Sequence, residues 1–403
     1  MWINHLRISF RKLGTHKFQS AILIGGLVIG MTSCIILLQY VSYELSFDGF
    51  HAKGDRIYRL LNERFQDGQS IQRGTITYPT IGPAMMEEFP EIKNVSRLAA
   101  APNVMLTVND LVEPIGSGFW VDEHFFEMFD FHLLSQDDTK LLDEPNEVML
   151  SRELAEYFFP AVEGQFHHLI GKTVRINRVL EDFKIVGVFE DVPANSTLQF
   201  QILISYASGI RYWGEAAENS WNWSNFYHYL ELEPETDVAA LEAKFEGFSQ
   251  RRFRGTEVSG SQEVFSLQPF FDAHLYSADL EYEIGETVNG RAVWSLLLIA
   301  FFLLMIAWIN YVNLSSVRAI ERSKEVGVRK VVGAGRGQLL RQFFSEALMI
   351  NVISLIFALG IVQFITPWFA AQFDLDASIL GFFNGHHLNV YLVLTLLALI
   401  LTG

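Results

Sequence analysis

Hydrophobic and polar positions are distributed very unevenly along this chain. Four windows contain no Asp, Glu, Lys or Arg: Phe18–Tyr43, Ala292–Val317, Ala347–Phe373 and Ala377–Gly403. A helix needs ~20 mainly apolar residues to cross the hydrocarbon core of a bilayer, and each of the first three windows supplies them. The last is apolar enough only from Leu388, so it predicts a truncated fourth span. Soluble helices of this length carry a polar face. The pattern therefore predicts transmembrane helices at 18–43, 292–317, 347–373 and 388–403, joined by a cytoplasmic N-terminus at 1–17, a cytoplasmic loop at 318–346 and an external loop at 374–387.

Between the first two windows the pattern becomes a mixture of short alternating runs and helical stretches. Strands are predicted at Ile57–Arg64, Val95–Leu98, Asn103–Val108, Val148–Leu150, Lys172–Ile176, Phe183–Phe189, Phe226–Glu231 and Glu263–Leu267. Helices are predicted at Tyr78–Phe89, Glu123–Phe129, Ser151–Phe159 and Asp237–Phe253, with Asp237 as an N-cap and Pro160 ending the third. Strands and helices intermix without regular βαβ alternation, which points to α+β: a large mixed α/β domain at 44–290, inserted between the first and second of four transmembrane helices. The residues Glu44–Asp48 can prolong the first span outward as helix.

Charge adds an orientation. Arg7, Arg11, Lys12 and Lys17 precede the first span, and the 318–346 loop carries seven Lys or Arg against three Glu. Residues 44–290 instead hold 18 Lys+Arg and 41 Asp+Glu, a net charge of −23. Short basic loops stay inside, so the large domain is expected outside. Nothing points to a nucleic acid, because the bases form short juxtamembrane clusters without interleaved aromatics. The single cysteine, Cys34, lies within the first window, so the outer domain has no disulfide. Met31–Cys34 faintly resembles a lipoprotein processing site, but the apolar run continues through Leu38, as an uncleaved span requires.

The 318–346 loop is the most informative segment. Arg318–Val332 can continue the second span as a charged helix. Gly333, Gly335 and Gly337 then break it, each costing a helix interior ~1 kcal/mol relative to alanine. Leu339, Leu340, Phe343 and Phe344 give an amphipathic lead into the third span. Within this loop, Glu321-Arg322-Ser323-Lys324-Glu325-Val326-Gly327-Val328-Arg329-Lys330-Val331-Val332-Gly333-Ala334 resembles the ER-x-x-E-[IV]-G-x-R-[KR]-x-x-G-A stretch of the MacB/FtsX family of bacterial ABC transporter permeases. The segments Ser46–Arg59 and Glu87–Glu91 also look like parts of that family's extracytoplasmic domain, and the order of spans agrees.

The resemblance implies a MacB-like outer domain with porter-like flanks at 44–125 and 210–290 around an inserted part at 126–209. It also implies an inner-membrane protein with its large domain in the periplasm, and coupling residues Glu321, Arg322, Glu325, Gly327, Arg329, Lys330, Gly333 and Ala334 that meet an ATPase. The chain has no G-x-x-x-x-G-K-[ST] phosphate loop, so ATP is expected on a separate cytoplasmic ABC ATPase subunit and no cofactor on this chain. Partners implied are that ATPase, membrane lipid, and a second permease half in a homodimer or pseudo-dimer, with this chain reading as the first half of a duplicated permease. The implied function is mechanotransmission, in which ATP-driven motion reaches an outer domain that handles hydrophobic, peptide or lipoprotein-like substrates.

Other candidate positions carry less. Gly26 and Gly30 have the small-xxx-small spacing that lets a second helix approach closely, although glycine is common in membrane helices anyway. Asn310 and Asn313 read as interhelical anchors, since no span holds an acid for an ion relay. The aromatic run Tyr212, Trp213, Trp221, Trp223, Phe226, Tyr227 and Tyr229 reads as core more than as a substrate groove. The pairs His167-His168 and His386-His387 lack the companions of a metal site. Two alternatives are a non-transporting scaffold that activates a cell-wall hydrolase and a sensor, for which the 318–346 loop is too short to hold an output domain. No nucleophile–base set suggests an enzyme.

Overall fold

Each apolar window within the described residues forms one continuous helix. The computed structural model describes residues 17–109, 111–136, 141–162, 164–176, 181–253, 260–321, 327–328, 331–332 and 335–372. The three span helices are Lys17–Glu44, Gly290–Glu321 and Arg336–Gln372. Segments long and apolar enough to cross a membrane run Ser20–Glu44, Gly290–Val317 and Phe344–Trp368. The 374–387 loop and the span expected at 388–403 lie outside the described residues. Leu23, Leu27, Met31 and Ile35 of the first helix, Ala300, Leu304 and Ala307 of the second, and Ala347, Ile350 and Ala358 of the third share one core.

Ser46–Asn289 is a separate compact unit. Its strands are β1 (Ile57–Gln66), β2 (Gln69–Gly74), β3 (Ile92–Ala100), β4 (Val104–Val108), β5 (Leu111–Ile115), β6 (Gly118–Val121), β7 (Leu133–Gln136), β8 (Glu147–Ser151), β9 (Thr173–Ile176), β10 (Glu181–Phe189), β11 (Ile202–Ser205), β12 (Phe226–Leu232) and β13 (Gln262–Pro269). Its helices are α1 (Ile81–Glu88), α2 (Phe125–Met128), α3 (Arg152–Phe158), α4 (Tyr206–Trp213), α5 (Glu215–Glu218) and α6 (Val238–Phe253). Ser151 caps α3 through Leu154 N, and Asp237 caps α6 through Ala240 N at 3.1 Å.

All thirteen strands belong to one sheet, in the order β13-β1-β12-β3-β6-β11-β8-β10-β9-β4-β5, with β2 on β1 and β7 on β10. The pairs β6–β11 and β8–β10 are parallel; the others are antiparallel. Residues 104–115, which the sequence groups with the first flank, lie at the far end of this sheet, where β4 pairs with β9. The sheet thus runs without interruption from the flanks through the inserted residues.

Alternation along the strands sorts the core. Leu98, Tyr227, Tyr229, Phe119 and Leu203 point to one face, where they join Phe125, Phe129, Phe131, Phe200 and Phe270. Their neighbours point the other way into two separate clusters, one around Ala99, Phe226, Trp120 and α3, the other around Val95, Leu230, Phe245 and α6. Between these two lobes, on adjacent strands, sit Arg97 and His228. Arg97 binds Glu218 at 2.8 Å, contacts Asp122, and lies over the Tyr206 ring. His228 Nδ1 meets Thr77 Oγ1 at 2.7 Å, and burial holds its ring down at about 3.

Of the aromatic run, Phe226, Tyr227 and Tyr229 are core. Trp213 and Trp223 pack edge-on against Phe226, while Tyr212 is exposed.

Candidate functional site: two membrane connections on one sheet face

The first and second span helices meet where side chains are smallest. A methyl group on Gly30 would overlap the Cβ of Ala307, and one on Gly26 would lie 2.9 Å from Asn310 Nδ2. The glycine face is therefore filled by the second span of the same chain. Gly25, one position away, faces open space. Asn310 is on this contact, and Asn313 is exposed on the helix surface.

The first span helix does not continue to Asp48. It ends at Glu44, and Asp48 takes a left-handed conformation (φ 58°), which aspartate tolerates better than most side chains. This turn buries the Asp48 carboxylate. Its Oδ1 accepts from Ser196 Oγ at 3.0 Å and from Thr197 N at 2.9 Å, and its Oδ2 accepts from Thr197 Oγ1. The backbone joins in: Asp48 N donates to Asn195 O at 2.9 Å, and Asn195 Nδ2 donates to Ser46 O and Oγ. Burial pushes the Asp48 carboxyl up, and the hydroxyl and amide donors of Ser196 and Thr197 oppose that shift.

Farther along, His51 Nδ1 accepts from Asp130 N, Ala52 N donates to Asp130 Oδ2, and Lys53 Nζ reaches Glu127 O. The connection leaving the first span is thus stitched to Glu127–Asp130 and Asn195–Thr197.

The connection arriving at the second span is held from other strands. Arg59, fully buried on β1, binds Glu283 at 2.8 and 2.9 Å and also donates to Gln268 Oε1 and Ser277 Oγ. Burial raises the Glu283 carboxyl, and Arg59 opposes the shift. Thr75 Oγ1 donates to Tyr282 O at 2.6 Å, and Glu281 N donates to Arg73 O. His274 donates from Nδ1 to Glu286 O at 2.9 Å, while its own carbonyl accepts from Val288 N.

The two connections also touch each other's supports. The Phe47 ring stacks on His274 at 3.4 Å with 4° between planes. A Cβ on Gly285 would overlap the carbonyl of Thr197, so only glycine lets the arriving strand lie against that turn. Sequence patterns missed this arrangement. The Asp48-Gly49 and Pro193–Ser196 turn signals were there to be read, but nothing local joins positions 148 and 149 residues apart.

Of the loop residues singled out in sequence, Glu321 ends the second span helix and Gly327 is helical with open space around it. Arg322, Glu325, Arg329, Lys330, Gly333 and Ala334 lie outside the described residues. Val328, Val331 and Val332, by contrast, are 64%, 88% and 82% exposed, and Val332 N donates to Val328 O at 3.1 Å in a single helical turn. Among the described residues no group of His, Cys, Asp and Glu is arranged to hold a metal ion.

Both parts of the chain are similar to known proteins. The family model of the MacB-like periplasmic core domain matches residues 20–248, and that of the FtsX-like permease C-terminal domain matches 297–403. The uncharacterized ABC transporter permease YvrN of Bacillus subtilis (strain 168) is 23% identical over 392 residues, covering 92% of this chain and 90% of that one. The macrolide export ATP-binding/permease protein MacB of Aggregatibacter actinomycetemcomitans is 22% identical over 86% of this chain, which spans 50% of the length of that relative. A solved permease-protein domain from Porphyromonas gingivalis covers 55% of this chain and 92% of its own, at 20% identity and a TM-score of 0.46. With one family model spanning more than half the chain and a second covering the later spans, the protein belongs to the MacB/FtsX-type ABC transporter permeases.

Proposed function

We propose that this chain is the membrane subunit of an ABC exporter in the bacterial cytoplasmic membrane, passing ATP-driven motion from a separate ATPase to its outer domain. The observation that carries the reading is the pair of family matches, one on the outer domain and one on the spans. Sequence adds the basic 318–346 loop, whose charge suits the inner side of a bilayer. Within it, Val331 and Val332 stand more than four-fifths exposed and Val328 about two-thirds. Such an apolar turn is costly to leave in water and suits a protein partner.

In this reading the ATPase contacts Glu321, Arg322, Glu325, Gly327, Arg329, Lys330, Gly333 and Ala334, with Val328, Val331 and Val332 as the apolar centre of the contact. Exposed Leu298, Phe301, Phe302, Ile306 and Ile309 of the second span helix would meet lipid or a second permease half. MacB of A. actinomycetemcomitans is a macrolide exporter by name, and PvdT of Pseudomonas syringae a pyoverdine exporter. In this reading the outer domain handles hydrophobic, peptide or lipoprotein-like substrates.

The test is to isolate the tagged full chain from its host's membranes and measure vanadate-sensitive ATP hydrolysis in the complex. Val331→Asp combined with Arg329→Glu is expected to lower the co-purified hydrolysis about tenfold, the effect of ~1.4 kcal/mol of lost binding. Equal hydrolysis in the variant and the parent would reject this loop as the ATPase contact.

A further inference from the structure

The outer domain's two membrane connections are each tied to a different part of the sheet. The connection from the first span is bonded to Glu127–Asp130, beside β7, and to Asn195–Thr197, just before β11. The one entering the second span is bonded to β1 and β13 through Arg59 and Gln268. Strands β1 and β13 lie at one end of the strand order, and β11 lies well inside it. Two independent grips would let the spans pull these regions apart. Instead, Thr197 serves both: its amide and hydroxyl hold Asp48, and its carbonyl lies against Gly285. The Phe47–His274 stack repeats the link, because His274 also holds Glu286 and Val288.

We propose that Asp48, Thr197 and Gly285 form a permanently closed latch that makes the two membrane connections act on the sheet as one lever. The proposal rests on the motion-transmitting function above and adds the residues through which motion enters the outer domain. Asp48 is the positioning residue. Its carboxylate takes three donors that have no other acceptor in hydrogen-bond reach among the interactions described, so removing it ends the first connection's hold on Ser196 and Thr197 and leaves that connection, on this turn, only its bonds to Asn195. The latch needs an acceptor, not a charge. An amide at position 48 keeps one oxygen for Ser196 Oγ and Thr197 N, and its NH2 can donate to a reoriented Thr197 hydroxyl. Asp48→Asn should therefore work where Asp48→Ala does not.

Closure is tested separately. Ser46 Oγ and Asn195 Nδ2 are 3.1 Å apart, so Ser46→Cys with Asn195→Cys can be joined through disulfides to a short bis-methanethiosulfonate linker, a covalent lock, once the native cysteine is removed as Cys34→Ser. The readout is hydrogen exchange of the full complex with its co-purified ATPase, compared with and without ATP–vanadate. In the parent protein, trapping should change exchange in Glu127–Asp130, Pro193–Ser205 and Glu281–Asn289.

In Asp48→Ala and Gly285→Val the change in Glu127–Asp130 and Pro193–Ser205 should fall about fivefold or more, while ATP hydrolysis is kept. Asp48→Asn and the linked cysteine pair should retain the full response. The latch is overturned if Asp48→Ala responds like the parent. It is equally overturned if the locked protein loses its response and regains it on reduction, since the junction would then have to open. A parent complex without any ATP-dependent change in the outer domain would reject the motion-transmitting function itself, and the latch with it.

Discussion

The span helices and the outer sheet use the same residue types in opposite ways. In the outer domain phenylalanine is the interior: Phe129 is 1% exposed and lies among Phe125, Phe131, Tyr229 and Phe270 with ring centres 5.0–6.3 Å apart. In the second span helix Phe301 and Phe302 are 55% and 53% exposed, and where it meets the first span at Gly26 and Gly30 the contact is made by Ala307 and Asn310, with the larger Trp308 and Tyr311 buried beside it. In water, burying an aromatic ring removes apolar area from solvent and stabilises the fold. In hydrocarbon that force is missing, and helices associate by close van der Waals approach where side chains are small. The difference teaches where each part is vulnerable: the sheet to lost volume, the helix pair to added volume.

The largest expected effects lie in the sheet. Phe129→Ala should destabilise the outer domain by ~3–5 kcal/mol, whereas Phe301→Ala should change folding by no more than ~0.5 kcal/mol. Thermal unfolding of the two proteins in the same detergent measures the contrast, and equal losses would erase it. Arg59→Ala should cost a similar ~3–5 kcal/mol by leaving Glu283 buried without its partner. Arg59→Met with Glu283→Leu should recover most of that loss, which separates the cost of an orphaned charge from the worth of the pair.

The helix pair gives the next series. Gly30→Leu must push Ala307 away and should cost ~1–3 kcal/mol. Gly26→Ala meets only the movable end of Asn310 and should cost less, and Gly25→Ala should be neutral. Ordered melting temperatures of the three would sharpen the small-residue account; a uniform loss would refute it.

The smallest effect is a pH term. Burial holds His51 down at about 4, against its ordinary value near 6.5. The unfolded chain therefore binds a proton that the folded chain refuses, so this stability is present above about 6.5 and is lost as pH falls toward 4. The nearby charge of Asp130 opposes the shift. Asp48, Asp122 and Glu283 are raised by burial and work in the other sense, favouring the fold at low pH and losing that contribution as pH rises. His51→Asn keeps an acceptor for Asp130 N, so its melting temperature should fall less between pH 7 and 4.5 than the parent's. An identical slope would exclude His51 as the source.

The three spans within the described residues were legible because an uncharged run of more than twenty residues admits few other meanings. Strands with turn residues on both sides, such as β12 and β13, were legible too. The four-residue strands β6 (Gly118–Val121) and β11 (Ile202–Ser205) were not: each is too short for a period to show, whereas β12, equally buried, runs for seven residues. Strand β5 contains Pro114, a residue that argues against a strand. The Gly26–Gly30 spacing was visible, but its partner, Ala307 and Asn310 of the same chain, follows only from how the helices pack. Asp48 was read as helix because Glu44–Phe47 has no breaker, and its fixing contacts come from the 195–197 turn. The loop residues Arg322 to Ala334 were recognised by resemblance alone.

The central claim is that ATP bound elsewhere moves a domain on this chain that has no phosphate loop of its own. Hydrogen exchange of the unmodified complex, before and after ATP–vanadate trapping, tests it most directly. The account predicts altered exchange in Ser46–Lys53 and Glu281–Asn289 together, along with the span helices. Change confined to residues 290–372, with both connections and the outer sheet unaltered, would contradict it.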